Sequence, residues 1–114
     1  MKELTIVIVS YNARADLEAC LASLATLPPT TPHEIVVVDN ASSDGSAGAV
    51  RMGWPTVTVI DAGDNLGFAR ATNLGIRATA SDLLLLLNSD TLPSAGAIDH
   101  LVEVLRARRD VAVV

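Results

Sequence analysis

The 114-residue sequence contains one cysteine, one lysine and three aromatic residues, Tyr11, Trp54 and Phe68. A single Cys20 excludes an internal disulfide and a cysteine-built zinc cluster. Basic residues are the minority, 8 against 13 acidic ones, for a formal charge of −5. The basic stripe that marks a nucleic-acid partner is therefore missing. The longest apolar run is the five leucines at 83–87. A membrane helix needs roughly 20 apolar residues, so no membrane-spanning segment is expected. Met1-Lys2-Glu3-Leu4 meets an acidic residue at once and has none of the build of a signal peptide. A cytoplasmic location is expected, at most peripheral to the inner face of a membrane. Only 18% of the residues are charged and 50% are hydrophobic, too apolar a chain for intrinsic disorder.

Val, Ile, Leu and Ala supply that apolar content, and it falls into alternating blocks. Apolar, β-branched runs predict strands at 4–9, 34–39 and 56–60. A fourth strand is expected at 82–87, buried on both faces, and a fifth at 111–114. Between them lie helix-length segments at 13–25, 45–52, 67–80 and from Ser94 to 109. Asn12 is read as the N-cap of the first helix. Leu17, Cys20, Leu21 and Leu24 make that helix's apolar face. Phe68, Ala71, Gly75 and Thr79 form a stripe that lets the third helix lie close to a sheet. The β-α-β alternation implies an α/β fold, a mostly parallel sheet with helices on both faces.

In a parallel sheet the loops after the strands open on one edge, where ligands bind. Here those loops carry Ser10-Tyr11-Asn12, Asp39-Asn40, residues 61–65 and Asn88-Ser89-Asp90. The opposite edge is fed by Pro-rich and Ala-rich connectors with little chemistry. Neither a G-x-G-x-x-G nor a G-x-x-x-x-G-K-[ST] loop occurs, nor a G-x-S-x-G elbow. His33 and His100 are read as structural or surface residues. Asp90 at a strand end can offer a carboxylate to Mg²⁺, which typically takes one or two carboxylates plus substrate phosphates. Such an ion would offset the charge of a departing diphosphate. Asp39 can accept hydrogen bonds from a base or from ribose hydroxyls. Arg70, in the first turn of the third helix, can pair with a phosphate. Asp44 is read as a helix cap.

Four segments then line up in order: Ile6-Val7-Ile8-Val9-Ser10-Tyr11-Asn12, Val37-Val38-Asp39-Asn40-Ala41-Ser42-Ser43-Asp44-Gly45, Asn65-Leu66-Gly67-Phe68-Ala69-Arg70 running on to Asn73 and Gly75, and Leu86-Leu87-Asn88-Ser89-Asp90-Thr91. In this pattern the chain resembles the N-terminal, nucleotide-binding half of a family 2 glycosyltransferase with the GT-A fold, above all its rhamnosyltransferase-like branch. The resemblance covers essentially all 114 residues and implies one truncated domain. It implies transfer of a sugar from a nucleoside-diphosphate sugar, such as dTDP-rhamnose or a UDP-sugar, to a glycan or lipid-linked acceptor in cell-surface polysaccharide synthesis. By the family pattern Ser10, Tyr11 and Asn12 line the nucleoside pocket and Asp39 meets the base. Asn65, Gly67, Arg70 and Ser89 face the nucleotide. Asp90 ligates a divalent metal, Mg²⁺ or Mn²⁺, with Asn88 standing where the D-x-D motif has Asp. The general base that an inverting transfer needs is expected beyond Val114. Two other readings stand beside this one: a fragment that binds nucleotide without turnover, and a haloacid-dehalogenase-type phosphatase. The latter rests on a faint D-x-D-x-T echo at 88–92 and lacks its nucleophilic Asp. Apolar surface left open by the truncation predicts self-association, such as a homodimer.

Overall fold

A computed structural model describes residues 3–94 and 96–107. Four strands form one parallel sheet: β1 (Leu4–Ser10), β2 (His33–Asp39), β3 (Thr58–Asp61) and β4 (Leu83–Asn88), in the order β3-β2-β1-β4. Helices α1 (Arg14–Thr26), α2 (Ser46–Gly53), α3 (Phe68–Arg77) and α4 (Ala97–Ala107) alternate with them. The α/β architecture with helices on both faces is thus the observed one. β3 begins two residues later than the sequence predicts, because Thr56 and Val57 complete a turn in which the Val57 N–H bonds the Trp54 carbonyl. The expected strand at 111–114 and the last residues of the expected helix to 109 lie outside the described residues.

The centre of the sheet is β1, whose alternate side chains enter two cores. Leu4, Ile6 and Ile8 pack with Leu17, Cys20, Leu21 and Leu24 of α1, Val50 of α2, and Ile98 and Val102 of α4. On the other face Val7, Val36 and Val38 pack against Ala71 of α3. Period-two alternation on β-branched residues makes this possible, since the central strands β1 and β2 bury both faces.

β4 departs from the expectation of burial on both faces. Leu83, Leu85 and Leu87 enter the larger core, while Leu84 and Leu86 are 38% and 48% exposed. The reason is the placement of α3, which lies over β1 and β2 and leaves that side of β4 bare. Phe68 also departs from its stripe: it is 58% exposed at the start of α3, whereas Ala71 and Gly75 are buried. The edge at the strand starts is richer in chemistry than its connectors suggest. The Thr5 and Thr79 hydroxyls both donate to Glu34 Oε1, at 3.0 and 2.7 Å, and the Ser81 hydroxyl lies 2.7 Å from Thr5 Oγ1. This hydroxyl–carboxylate cluster ties the end of α3 to β1 and β2.

Candidate functional site

The strand ends place the polar residues side by side. Ser10 pairs in register with Asp39, and Asp39 with Asp61, so these three stand in a row across β1, β2 and β3 on the face that carries α1 and α2. The connections leave β1 and β2 for that face and β3 for the other, and the strand ends are the candidate crevice, the edge where α/β sheets bind ligands.

Within the crevice two buried polar atoms have no partner, Ser10 Oγ and Asp39 Oδ1. The other Asp39 oxygen accepts the Ser42 N–H at 3.1 Å. Buried polar groups are almost always satisfied, so an unpaired carboxylate oxygen beside an unpaired hydroxyl marks a place for a ligand's donors. Tyr11 stands next to them with half its surface exposed.

Asn12 does not cap α1. The N-cap position is Ala13, with no side-chain cap bond. Instead Asn12 takes a left-handed φ of 48° and its Oδ1 accepts the Ser43 N–H at 2.7 Å, while its own N–H donates to Ser42 Oγ at 2.9 Å. The first-turn donor of α1 is met from the neighbouring loop after β2: the Arg14 N–H donates to Asp44 Oδ2 at 3.0 Å. The other Asp44 oxygen accepts the N–H and the hydroxyl of Ser46, which begins α2. One carboxylate thus caps two helices, and these bonds, the Ser46 hydroxyl first, hold its pKa below the ordinary value.

On the far wall the Asn65 side-chain oxygen accepts from the Asn40 amide at 3.0 Å and from the Gly67 N–H at 3.1 Å. Gly67 has φ 80° and ψ 168°, a conformation open essentially to glycine alone. Arg70 is exposed one turn further on. Asp61 is engaged by Arg51 at 2.8 Å, and Asp64 Oδ1 accepts the Asn65 N–H at 2.8 Å. Each of these two acidic residues thus has one protein partner and stays exposed.

Ser89 and Asp90 follow the end of β4, on the other side of β1 from Asp39. Two strand spacings, roughly 10 Å, separate β2 from β4. Ser89 is half-buried and Asp90 exposed. Burial pushes the Cys20 thiol up to about 11 and the Asp90 carboxylate adds to this, so Cys20 is an inert core residue. The His33 ring bonds the Thr31 carbonyl and His100 is exposed on α4, so neither belongs to the crevice.

The structure thus brings together Ser10, Tyr11, Asn12, Asp39, Asn65 and Gly67, with Arg70 at the rim and Ser89-Asp90 across β1. Sequence reasoning passes over Asn40, which is buried and whose side chain bonds Asn65 and Leu66 of the loop after β3. Its position one residue after a strand carboxylate is the only signal, and a turn residue gives the same one.

Comparison with known proteins bears on this site. Residues 5–114 match the profile of Glycosyl transferase family 2. The chain is 31% identical over 111 residues to an N-acetylglucosaminyl-diphospho-decaprenol L-rhamnosyltransferase of Mycobacterium tuberculosis, covering 88% of this chain and 36% of the relative. It is 31% identical over 117 residues to an undecaprenyl-phosphate 4-deoxy-4-formamido-L-arabinose transferase of Serratia proteamaculans, covering 97% and 36%. Among solved structures, the mannosyltransferase PcManGT of Pyrobaculum calidifontis, in complex with GDP-Man and Mn²⁺, superposes with a TM-score of 0.83 at 27% identity, covering 90% of this chain and 32% of that one. The chain spans about a third of the length of these relatives.

Proposed function

The chain belongs to glycosyl transferase family 2, and from that premise we propose that its crevice binds a nucleoside-diphosphate sugar for transfer to a glycan or lipid-linked acceptor in glycan synthesis. The observation that carries this is the pair of buried, unpartnered atoms Ser10 Oγ and Asp39 Oδ1 at adjacent strand ends. A carboxylate oxygen there accepts from a pyrimidine N–H or a ribose hydroxyl. Tyr11 offers a ring face to the base, Asn12 and Asn65 shape the two walls, and Arg70 reaches a phosphate. A nucleoside diphosphate laid across the edge from Asp39 would bring its diphosphate to Ser89 and Asp90.

Asp90 suits a divalent ion shared with that diphosphate. Among the described residues no group of three or more His, Cys, Asp or Glu is placed to hold an ion unaided. One carboxylate completed by substrate phosphates is the donor set that Mg²⁺ and Mn²⁺ accept in such sites. When bound, the ion would supply charge neutralisation to the leaving diphosphate. A rhamnose donor such as dTDP-rhamnose is proposed on the likeness to the mycobacterial L-rhamnosyltransferase, with a UDP-sugar as the alternative donor.

A narrower reading, binding without turnover by these residues alone, is favoured by one observation. The exposed Asp61 and Asp64 already have protein partners, Arg51 and the Asn65 N–H. Binding the donor, not deprotonating the acceptor, is what this edge supplies. Calorimetry with UDP and dTDP, with and without Mn²⁺, tests the proposal. Binding is expected, and weakened about 10- to 100-fold in Asp39→Asn, the range for losing a hydrogen bond to a charged group. A folded chain that binds neither nucleotide sinks the reading.

A further inference from the structure

Asn40 is 3% exposed, although its side chain is polar and lies at the mouth of the crevice. The hydrogen-bonding groups of its side chain are spent on the opposite wall. Its Oδ1 accepts the Leu66 N–H at 2.9 Å, and its Nδ2 donates to Asn65 Oδ1 at 3.0 Å and to the Gly67 carbonyl at 3.5 Å. Its backbone N–H is held by the Ser10 carbonyl at 2.9 Å. Asn40 therefore connects β1, the end of β2 and the loop that begins α3.

That loop has little else to hold it. Asn65 and Gly67 are exposed, and a Cβ on Gly67 would meet no atom within 4 Å. Yet Gly67 is kept in a glycine-only conformation, and its carbonyl accepts the Ala71 N–H at 3.2 Å, the first helical bond of α3. Phe68 and Arg70, both in that first turn, are exposed. Their position relative to Asp39 is set by where Gly67 stands, and Gly67 is set by Asn40 and Asn65.

We infer that Asn40 is a positioning residue for the donor: it clasps the Asn65–Gly67 loop across the crevice and so holds Arg70 at a fixed distance from the Asp39 pocket. This rests on the proposed nucleotide site. Asn40 touches no ligand in this arrangement and acts through Gly67 and the first turn of α3. Asn40→Asp is the informative change. It keeps the shape and the acceptor for Leu66 but replaces the amide donor with an oxygen facing the Asn65 oxygen and the Gly67 carbonyl.

The test measures affinity for UDP or dTDP, whichever binds the unsubstituted chain, in Asn40→Asp, Arg70→Ala and the double variant. Asn40→Asp is expected to weaken binding about tenfold or more, the worth of one or two such bonds. In the Arg70→Ala background the same change is expected to cost much less, because its effect runs through Arg70. Unchanged affinity in Asn40→Asp overturns the inference, and so does strict additivity, which includes an inert Arg70→Ala. Amide hydrogen exchange needs no variant. The Leu66 and Gly67 N–H groups are expected to be protected in the free chain, and exchange at open-chain rates overturns the clasp even where Asn40→Asp fails to fold. Absence of nucleotide binding by the folded, unsubstituted chain overturns the proposed function itself, whereas binding indifferent to Asn40 overturns only this inference.

Discussion

A Cβ added to Gly75 would stand 2.5 Å from Cγ1 of Val7 and 3.2 Å from Cγ2 of Val38. Helix α3 thus touches the sheet through bare backbone. Gly75→Ala gains about 1 kcal/mol of helix propensity but overpacks a core at a typical cost of about 1–3 kcal/mol. The clash falls on Val7, whose branched side chain cannot easily rotate away. Net destabilisation is expected in urea denaturation, with a weaker nucleotide affinity because α3 carries Arg70. A variant as stable as its parent would show that α3 is not seated on Val7.

Asp99, like Asp44, contributes to the acid limb of stability. Its carboxylate accepts the Thr30 N–H at 2.8 Å, the Thr31 N–H at 3.0 Å and the Thr31 hydroxyl at 2.8 Å, pinning the α1–β2 connection to α4. Those bonds, Thr30 first, lower its pKa to about 2. An unfolded Asp titrates near about 3.9. The folded form is the stronger acid, so the contribution is complete above the unfolded value and is lost as the pH falls from about 4 toward 2. Asp99→Asn is expected to lower stability at neutral pH and to flatten this part of the profile. An unaltered slope in denaturation curves across that window would contradict the assignment.

Asp90 is expected to govern the metal-linked part of nucleotide binding and nothing else. Titrations of Asp90→Ala with UDP are expected to lose the increment that Mn²⁺ gives the parent chain. Metal-free affinity and the melting curve should stay close to the parent values, since Asp90 is exposed. A Mn²⁺ increment that survives the substitution would place the ion elsewhere.

Leu84 and Leu86 lie on β4, which is an edge of the sheet among the described residues and has no charge among its six residues. Uncharged edges with exposed leucines invite pairing with another chain. Sedimentation or light scattering is expected to show association that grows with concentration and is reduced by Leu86→Lys. A monomer at all working concentrations would count against it.

Much of the fold can be read from residue order. The runs at 4–9 and 35–38 have one solution, a strand buried on both sides, and the Leu17, Cys20, Leu21 and Leu24 spacing likewise has one. Asp39 and Asp90 stand out because each ends or follows such a run. Local pattern fails where a side chain's partner is distant in the chain. Asn12 looks like a cap and instead bonds Ser43, 31 residues away; Asp44 caps its own helix and also α1, 30 residues back. Asn40 looks like any turn residue until β3 brings Asn65 beside it.

The sequence by itself determined the alternation of strands and helices, the parallel sheet and the polar character of one edge, because apolar periodicity and turn chemistry are local. Only the tertiary structure decided that β4 stays half-bare, that Asp61 pairs with Arg51, and that Ser10 Oγ and Asp39 Oδ1 are left unpaired at adjacent strand ends. Those outcomes depend on strand order and on which face each helix covers. Burial and hydrogen-bond satisfaction belong to neighbours in space, and no segment carries them alone.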